Sequence, residues 1–349
     1  MSENHLKLQG IEFIEFSSKE PKKLEELFLA FGLSKIMKHS EKKIDLFKQN
    51  DIVFLLNSEP ASFGTDFYDQ HGPCVSSMAW RFEDAKFALE GAVERGATEA
   101  DTKRDYKINS NKIPSIMGIG DSLIYMVDTY KDEDFYKSLG FVEHDSPIKV
   151  PNLGFEFVDH LTNNVENGKM EYWANFYKDI FGFTEIKYFD IKGVKTGLQS
   201  FALQAPGGSF CIPINEAKDK KSQINEYLEE YKGAGVQHIA LHTSTMIDSV
   251  AGVTKQGINT LDIDDEYYAE IFDRVPDVKE DHQKLQDLDI LIDGDEEGYL
   301  LQIFTQNIIG PIFFEIIQRR NHFAFGEGNF GALFRSIERE QQKRGYLDS

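Results

Sequence analysis

The sequence repeats itself, and this repeat constrains the fold more than any other feature of the chain. The stretch GIEFIEFSS from Gly10 leads into an amphipathic run that closes on FGL at Phe31–Leu33. The stretch GFEFVDHLTNN from Gly154 leads into a similar run that closes on FGF at Phe181–Phe183. Apolar residues three and four positions apart predict a helix in each run. The chain is therefore expected to fold as two related halves.

A second pair of similar segments divides each half again. VSSMAWRFEDAKFALEGAVERGA begins at Val75, and VQHIALHTSTMIDSVAGVTKQGI begins at Val236. Each reads as a strand pattern followed by a helix pattern that ends at a glycine. The sequence thus predicts four units of strand, helix and several strands, starting near residues 10, 75, 154 and 236.

The midpoint of the chain is rich in residues that interrupt regular structure. Pro147, Pro151 and Gly154 lie there, and a chain of 349 residues has room for about two domains. We therefore predict a domain boundary near residue 150, with domains 1–150 and 151–349.

Charge and cysteine content exclude several classes of protein. Lys and Arg number 38 against 59 Asp and Glu, a formal net charge of −21, which repels phosphate backbones and anionic lipid. No stretch approaches the ~20 apolar residues of a membrane span. Only Cys74 and Cys211 occur, far apart in sequence, so no disulfide framework is expected. The composition favours a cytoplasmic protein without nucleic-acid or membrane partners.

Two segments of the second half differ from the repeated pattern. The segment from Asp262 to Gly298 is crowded with acidic residues and has only short apolar stretches, so it is predicted to be mainly a solvated, irregular excursion. The final SIEREQQKRG predicts a C-terminal helix with few core positions, which would be able to cover a cavity.

Histidine residues fall into two groups by their surroundings. Three lie in apolar, strand-like runs: His160 in FEFVDHL, and His238 and His242 in VQHIALHT. A single histidine on a strand is more often a hydrogen-bonded core residue than a ligand. His242 would lie about 13 Å from His238 along a strand, so it is not expected to join the same site. The others lie in polar stretches and are predicted at the surface: His5, His39, His71, His144, His282 and His322.

Glu315 changes the interpretation of these histidines. It stands among apolar residues in GPIFFEIIQRR, where a carboxylate must be protonated, paired or bound to a cation. Arg319 lies about 13 Å further along the strand, too far for a local pair. His160, His238 and Glu315 are separated by 78 and 77 positions. Two His and one carboxylate on neighbouring strands form the facial triad of non-heme Fe(II) oxygenases, so these residues predict an iron site.

The first half serves as an internal comparison. At the places corresponding to His160 and His238 stand Phe16 and Ser77, and the strand SLIYMVDTY has no matching glutamate. The first half is therefore predicted to be structural and free of metal.

Long motifs carry a family resemblance that covers nearly the whole chain. They are VDHLTNNV, YWANFYKDIFGF, YFDIKG, GAGVQHIAL, LLQIFT, PIFFEIIQRR and FGEGNFGALFRSIE. Through them the sequence resembles the 4-hydroxyphenylpyruvate dioxygenase family of the vicinal oxygen chelate superfamily. The resemblance implies an α+β fold of four βαβββ modules in two pseudo-symmetric open half-barrel domains, with a C-terminal helix closing the site. It also implies one Fe(II) per subunit, bound by His160, His238 and Glu315.

The activity implied by this resemblance is an O2-dependent oxidation of a phenolic 2-oxo acid. 4-Hydroxyphenylpyruvate would lose CO2, and its ring would be hydroxylated with migration of the side chain to give homogentisate. The oxo acid of the substrate supplies the reducing electrons, so no flavin, nicotinamide or 2-oxoglutarate is expected. The family's roles imply tyrosine and phenylalanine catabolism, pigment formation or both.

The resemblance also names a set of substrate-binding residues. Amides suit a site for phenol and carboxylate, since they bind either without placing a fixed charge beside iron. From pattern alone, Asn215 could equally be a turn residue, Gln223 a surface residue of a helix and Phe334 plain core. The implied residues are Ser200, Asn215, Gln223, Gln237, Gln302, Phe304, Phe325, Asn329 and Phe330, with Gln237 and Gln302 as the catalytic pair.

Two other functions remain open on the same scaffold. 4-Hydroxymandelate synthase shares fold, iron and substrate but hydroxylates the benzylic carbon, and the aromatic residues Phe304 and Phe330 favour ring chemistry instead. A metal-free binding module, as in some drug-sequestering relatives, leaves the buried Glu315 unexplained. The resemblance further implies a homodimer or homotetramer.

Overall fold

A computed structural model describes residues 3–101, 106–108, 111–193 and 195–347. Within these residues the chain forms two eight-stranded, curled sheets, one from each half, with helices packed against them. The glyoxalase-like α+β fold of two half-barrels predicted from the sequence is confirmed.

The first half contains the elements of the first eight-stranded sheet, its helices, and a separate two-stranded sheet formed by residues 107–108 and 111–112. They are β1 (Leu8–Ser17), α1 (Pro21–Ala30), β2 (Ser34–His39), β3 (Ile44–Gln49), β4 (Ile52–Asn57), α2 (Phe63–His71), β5 (Cys74–Phe82), α3 (Ala85–Glu94), β6 (Lys107–Ile108), β7 (Asn111–Lys112), β8 (Ser115–Met117), β9 (Leu123–Val127), α4 (Phe135–Ser138) and β10 (Phe141–Ile148).

The second half contains a corresponding series. Its elements are β11 (Phe155–Val165), α5 (Met170–Phe181), β12 (Thr184–Lys192), β13 (Gly197–Gln204), β14 (Cys211–Ala217), α6 (Gln223–Tyr231), β15 (Gly235–Thr243), α7 (Met246–Lys255), α8 (Asp265–Arg274), α9 (His282–Asp287), β16 (Leu291–Gly294), β17 (Tyr299–Phe304), β18 (Phe313–Arg320) and α10 (Phe330–Lys343).

The strand order shows how closely the halves correspond. The first sheet runs β10-β2-β3-β4-β1-β5-β9-β8, and the second runs β12-β13-β14-β11-β15-β18-β17-β16. Seven strands therefore match in order, while β10 extends the first sheet beyond β2 and β16 extends the second beyond β17. In both sheets the two central strands are the first strands of the repeated units, so every second residue on them faces the middle of the half-barrel.

The helices pack where the sequence periodicity places them. On α5 the buried residues Met170, Ala174, Tyr177 and Phe181 follow one face of the helix. The helix ends at Gly182, whose φ of +75° is a left-handed conformation that favours glycine.

One hydrophobic core joins the two halves. Trp80 of β5 is completely buried, and its ring lies 5.0 Å from that of Phe181 and 5.2 Å from that of Phe210, both in the second half. This core lies on one face of each sheet. The opposite, concave face of each sheet carries a smaller hydrophobic cluster of its own.

The prediction for the acidic segment is wrong. Residues 262–298 include α8, α9 and β16, and β16 pairs with β17 at the edge of the second sheet. Tyr268, Ile271 and Leu285 are buried, and these few side chains at helical spacing suffice to dock the segment although its other face is acidic. No helix among the described residues is both long enough and apolar enough to cross a membrane.

Candidate metal centre

Three side chains from three adjacent strands converge on the concave face of the second sheet. His160 on β11 pairs with Ala240 on β15, which in turn pairs with Glu315 on β18, and His238 lies two residues before Ala240. Glu315 Oε2 is 3.0 Å from His160 Nε2 and 3.3 Å from His238 Nε2. The two Nε2 atoms are 3.4 Å apart. The ligand atoms of these three side chains all lie within 4.8 Å of one another, close enough to hold one metal ion.

The second nitrogen of each imidazole fixes its orientation. His160 Nδ1 lies 2.8 Å from Asp159 Oδ1, and His238 Nδ1 lies 2.9 Å from Gln237 Oε1. Both acceptors are oxygens, so each Nδ1 carries a proton, and in its neutral form each imidazole presents the lone pair of Nε2 to the centre. Together with the carboxylate of Glu315, three lone pairs then face one another with no hydrogen-bond donor between them. A divalent cation would bind all three lone pairs and remove their mutual repulsion. The residues fit the predicted metal.

Without a cation, the trio is electrostatically coupled. Burial disfavours the charged form of His160, but Glu315 and then Asp159 outweigh it and raise the pKa of His160 to about 9. Burial alone would raise the pKa of Glu315, yet the two histidines lower it to about 2. Burial lowers the pKa of His238. Glu315 and the charged form of His160 therefore stabilise each other.

Above this centre lies a cavity of about 660 Å³, counting its open mouth. That volume falls in the range of sites for small organic ligands. The cavity is mostly aromatic and aliphatic, with a few amides and hydroxyls. Seven of the substrate-binding residues predicted from the resemblance line it: Ser200, Asn215, Gln223, Gln237, Phe304, Phe325 and Phe330.

The polar residues of the cavity are held by one another. Asn215 Nδ2 lies 3.2 Å from Asn164 Oδ1 and 3.4 Å from Gln237 Oε1, the same oxygen that faces His238. Asn215 belongs to strand β14, not to a turn, and Gln223 is the first residue of α6. The amides that the sequence could not place are thus brought to one wall beside His160, His238 and Glu315.

Two predicted residues are not in the cavity lining. Gln302 is buried behind Gly326, where a Cβ would come within 2.4 Å of Gln302 Nε2, and its amide atoms have no hydrogen-bond partner among the described residues. Asn329 is also buried, and its Oδ1 lies 2.7 Å from the Tyr267 hydroxyl of α8. Their roles toward substrate stay predictions.

Sequence reasoning missed other lining residues. Thr162, Phe189 and Phe313 line the cavity, and Phe313 stacks on His238 with ring centroids 4.9 Å apart. The alternation of β11 and β18 contains the signal for two of them, since Thr162 and Phe313 lie two residues from a predicted ligand. Phe334 and Ile337 of α10 close the cavity from above.

The first half-barrel has different residues at the equivalent positions, and one prediction needs correction. Phe13 pairs with Ala79, which pairs with Tyr125, as His160 pairs with Ala240 and Ala240 with Glu315. The register therefore assigns Phe13, not Phe16, to the position of His160. Phe16 lies in the shared core, because bulges shift the pairing of β1 with β5. Ser77 does correspond to His238, since it pairs with Glu15 as His238 pairs with Thr162.

The other histidines lie outside the candidate metal centre, and two of them are buried where the sequence predicts exposure. His242 lies on a strand, stacks on Phe157 and lies 3.1 Å from Glu156, so its exclusion from the centre is confirmed. His71 and His322, predicted at the surface, are buried. His71 stacks on Tyr231 across the interface between halves, a contact that no local pattern could reveal.

Two family models match the chain. Residues 2–143 match Hydroxyphenylpyruvate dioxygenase, HPPD, N-terminal, and residues 158–303 match the Glyoxalase/Bleomycin resistance protein/Dioxygenase superfamily.

Curated relatives cover nearly the full length. The chain is 54% identical over 346 residues to Protein MelA of Shewanella colwelliana, covering 99% of both chains. It is 44% identical over 343 residues to the 4-hydroxyphenylpyruvate dioxygenase of Legionella pneumophila subsp. pneumophila, covering 97% of both. It is 42% identical over 350 residues to the enzyme of that name from Pseudomonas aeruginosa, covering 99% of this chain and 97% of the relative.

Solved structures agree on the fold. A mutant of 4-hydroxymandelate synthase from Streptomyces coelicolor superposes with a TM-score of 0.83 at 20% identity, covering 96% of this chain and 100% of that one. A fusion of a xylose isomerase-like TIM barrel with a 4-hydroxyphenylpyruvate dioxygenase gives a TM-score of 0.82 at 26% identity, covering 97% of this chain and 54% of the fusion.

Proposed function

Since the chain belongs to the 4-hydroxyphenylpyruvate dioxygenase family, we propose that it converts 4-hydroxyphenylpyruvate and O2 to homogentisate and CO2. The observation that carries this proposal is the convergence of His160, His238 and Glu315 at the floor of an aromatic cavity. Two imidazoles and a carboxylate leave coordination positions open for substrate and O2.

The metal that we propose for this site is Fe(II). Iron bound there would supply the redox chemistry that joins O2 to the 2-oxo acid of the substrate. His160 and His238 would hold it through Nε2 and Glu315 through Oε2. Asp159 and Gln237 would keep both imidazoles in the ligating tautomer.

The cavity walls suit a phenolic ring. Phe304, Phe325 and Phe330 offer ring faces and edges, and aromatic pairs prefer offset or edge-to-face contacts that fix the ring without charge. Ser200, Asn215 and Gln237 supply the hydrogen-bonding groups for the substrate's oxygens. We assign substrate binding to these residues and to Gln223.

Helix α10 covers one side of the cavity with apolar side chains and so limits the access of water to it. Leu333, Phe334 and Ile337 face the cavity, and the carboxylate of Glu338 accepts hydrogen bonds from the backbone of Lys195 and Thr196, each 3.0 Å long. A closed, apolar site protects reactive intermediates from side reactions with solvent.

Further proposals concern the organisation of the protein. We assign the catalytic role to domain 151–349 and a structural role to domain 1–150, because Phe13, Ser77 and Tyr125 occupy the positions in the first half-barrel that His160, His238 and Glu315 occupy in the second. A homodimer or homotetramer and a cytoplasmic location remain proposals. The latter is supported by Cys74 and Cys211, which are free and buried.

The test is reconstitution. The purified protein is loaded with Fe(II) without oxygen, and O2 uptake is then measured with 4-hydroxyphenylpyruvate while the product is identified by mass and NMR. We expect homogentisate from the parent protein and none from the Glu315→Ala variant. 4-Hydroxymandelate as the product would keep the metal site but overturn the ring chemistry. No O2 uptake would indicate a binding role.

A further inference from the structure

Arg319 lies behind the candidate metal site and contacts the side chain that orients one metal ligand. Its Nε and Nη2 groups donate to the two oxygens of Asp159, each at 2.8 Å. One of these oxygens also accepts the Nδ1 proton of His160 at 2.8 Å. The guanidinium therefore fixes the carboxylate, and the carboxylate fixes the imidazole. Bidentate pairs of this kind hold their partners in one geometry.

The same guanidinium also contacts the turn that leads from β18 to the covering helix α10. Arg319 Nη1 donates to the backbone oxygen of His322 at 3.2 Å and to that of Ala324 at 2.6 Å. Its central carbon lies 5.7 Å from the ring of Phe325. Phe325 in turn lines the cavity, with its ring centroid 5.4 Å from that of His160. Arg319 thus contacts His160 indirectly, through Asp159, and contacts Phe325 directly.

We propose that Arg319 is a positioning residue that couples metal binding at His160 to the placement of the 321–325 turn and of Phe325 over the cavity. The proposal deepens the proposed function and rests on it for the identity of the ligands. A planar guanidinium satisfies the carboxylate and the two carbonyls at the same time, which a lysine ammonium cannot do in one position. By thermodynamic linkage, metal binding stabilises the turn as much as the ordered turn stabilises metal binding.

The first half offers a matched control for a purely structural ion pair. Arg81 also pairs with two carboxylates, Glu12 at 2.6 Å and Asp51 at 2.8 Å, and lies over the ring of Tyr130. The side chain of Arg81 is 17% exposed and that of Arg319 is 11% exposed, so the two arginine side chains are similarly buried, although Asp51 is more exposed than Asp159. Arg81 contacts no residue of the candidate metal site.

The first experiment measures metal affinity without turnover. Co(II) is titrated anaerobically into the Arg319→Met, Arg319→Lys and Arg81→Met variants, and its visible absorption reports binding. We expect Arg319→Met to bind roughly 10–100-fold more weakly, the usual effect of losing an outer-sphere partner. Arg319→Lys keeps a cation beside Asp159 and should regain most of the affinity. Arg81→Met should bind like the parent protein.

The second experiment measures the turn. Phe323 is 72% exposed, so chymotrypsin cleavage after Phe323, identified by mass spectrometry, reports how often the turn opens. In the parent protein, saturating Co(II) should slow this cleavage roughly ten-fold. In both Arg319 variants the slowing should fall below about two-fold, because the carbonyl contacts are lost, while Arg81→Met keeps it.

Equal protection by Co(II) in the parent and in Arg319→Met would overturn the coupling, as would unchanged Co(II) affinity in Arg319→Met. Arg319→Lys keeps the test decisive if Arg319→Met fails to fold. Neither measurement uses substrate, so a protein that forms no homogentisate but shows the coupling refutes only the proposed function. A protein that forms homogentisate without the coupling refutes only the role of Arg319.

Discussion

The charge of Glu315 should account for most of the metal affinity of the site. The Glu315→Gln variant keeps the size of the side chain and an amide oxygen at the ligand position, but it removes the anion. In the structure an oxygen of this carboxylate lies 3.0 Å from His160 Nε2 and 3.3 Å from His238 Nε2, and Glu315 is the one anionic member of the trio. The substitution therefore changes charge with little change in packing.

The size of the effect follows from these distances. Two unit charges 4 Å apart at an effective dielectric constant of 20 interact by about 4 kcal/mol. A divalent ion between ligand atoms separated by 3.0–3.4 Å is closer and doubly charged, which strengthens the attraction, while desolvation of both groups offsets part of it. We expect a net loss of about 4 kcal/mol, or roughly a thousand-fold in affinity.

The assay is an anaerobic Co(II) titration followed by visible absorption, with Glu15→Gln as the control. Glu15 is a buried carboxylate of the first half-barrel, and its Oε1 accepts hydrogen bonds from Asn57 at 2.6 Å and Tyr106 at 3.0 Å. Its loss should lower stability and leave Co(II) affinity unchanged. If Glu315→Gln binds Co(II) within ten-fold of the parent protein, the carboxylate is not a ligand and the reasoning is refuted.

Three other perturbations test packing, reactivity and closure. Trp80→Ala should lower the free energy of unfolding by about 3–5 kcal/mol, which for a chain of 349 residues lowers the Tm by about 4–7 °C. Two separate calorimetric transitions in the parent protein would contradict a core shared by the two halves. Burial raises the pKa of the Cys211 thiol to about 12, so its alkylation by iodoacetamide should rise about ten-fold per pH unit from pH 7 to 10, whereas a plateau near pH 9 would indicate an accessible thiol. Glu338→Ala should raise KM more than it lowers kcat, because it removes the oxygen that accepts the bonds from Thr196 to α10, and an unchanged KM would show that closure does not depend on these bonds.

Several features of the site were predictable because they depend on strand periodicity alone. Alternation places His160 and Thr162 on one face of β11, and the repeat places His238 on the matching strand. A carboxylate amid apolar residues requires a partner wherever it lies, so Glu315 could be assigned before its neighbours were known. Strand alternation and the polarity of neighbouring residues do not depend on which distant strands pair.

Other features depend on which distant residues meet. The spacing on β18 shows only that Arg319 lies too far from Glu315 for a local pair, whereas its partner, Asp159, lies 160 positions earlier in sequence. The sequence spacing predicts Phe16 at the place that Phe13 occupies, because bulges in β1 change the register without leaving a signal in the pattern. The helices of residues 262–298 escaped prediction because a few buried side chains outweigh a strongly acidic surface once a docking face exists.

The sequence by itself determined the duplicated units of strands and helices and the candidate metal-binding trio, because period, polarity and repetition are local properties of the chain. The half-barrel fold and the aromatic residues of the cavity followed from the family resemblance of its motifs. Only the tertiary structure decided how the ligands are oriented, which amides reach the cavity wall and how the covering helix is held. Those outcomes depend on hydrogen bonds and ion pairs between residues such as Asp159 and Arg319, whose energy exists only after folding has brought them together.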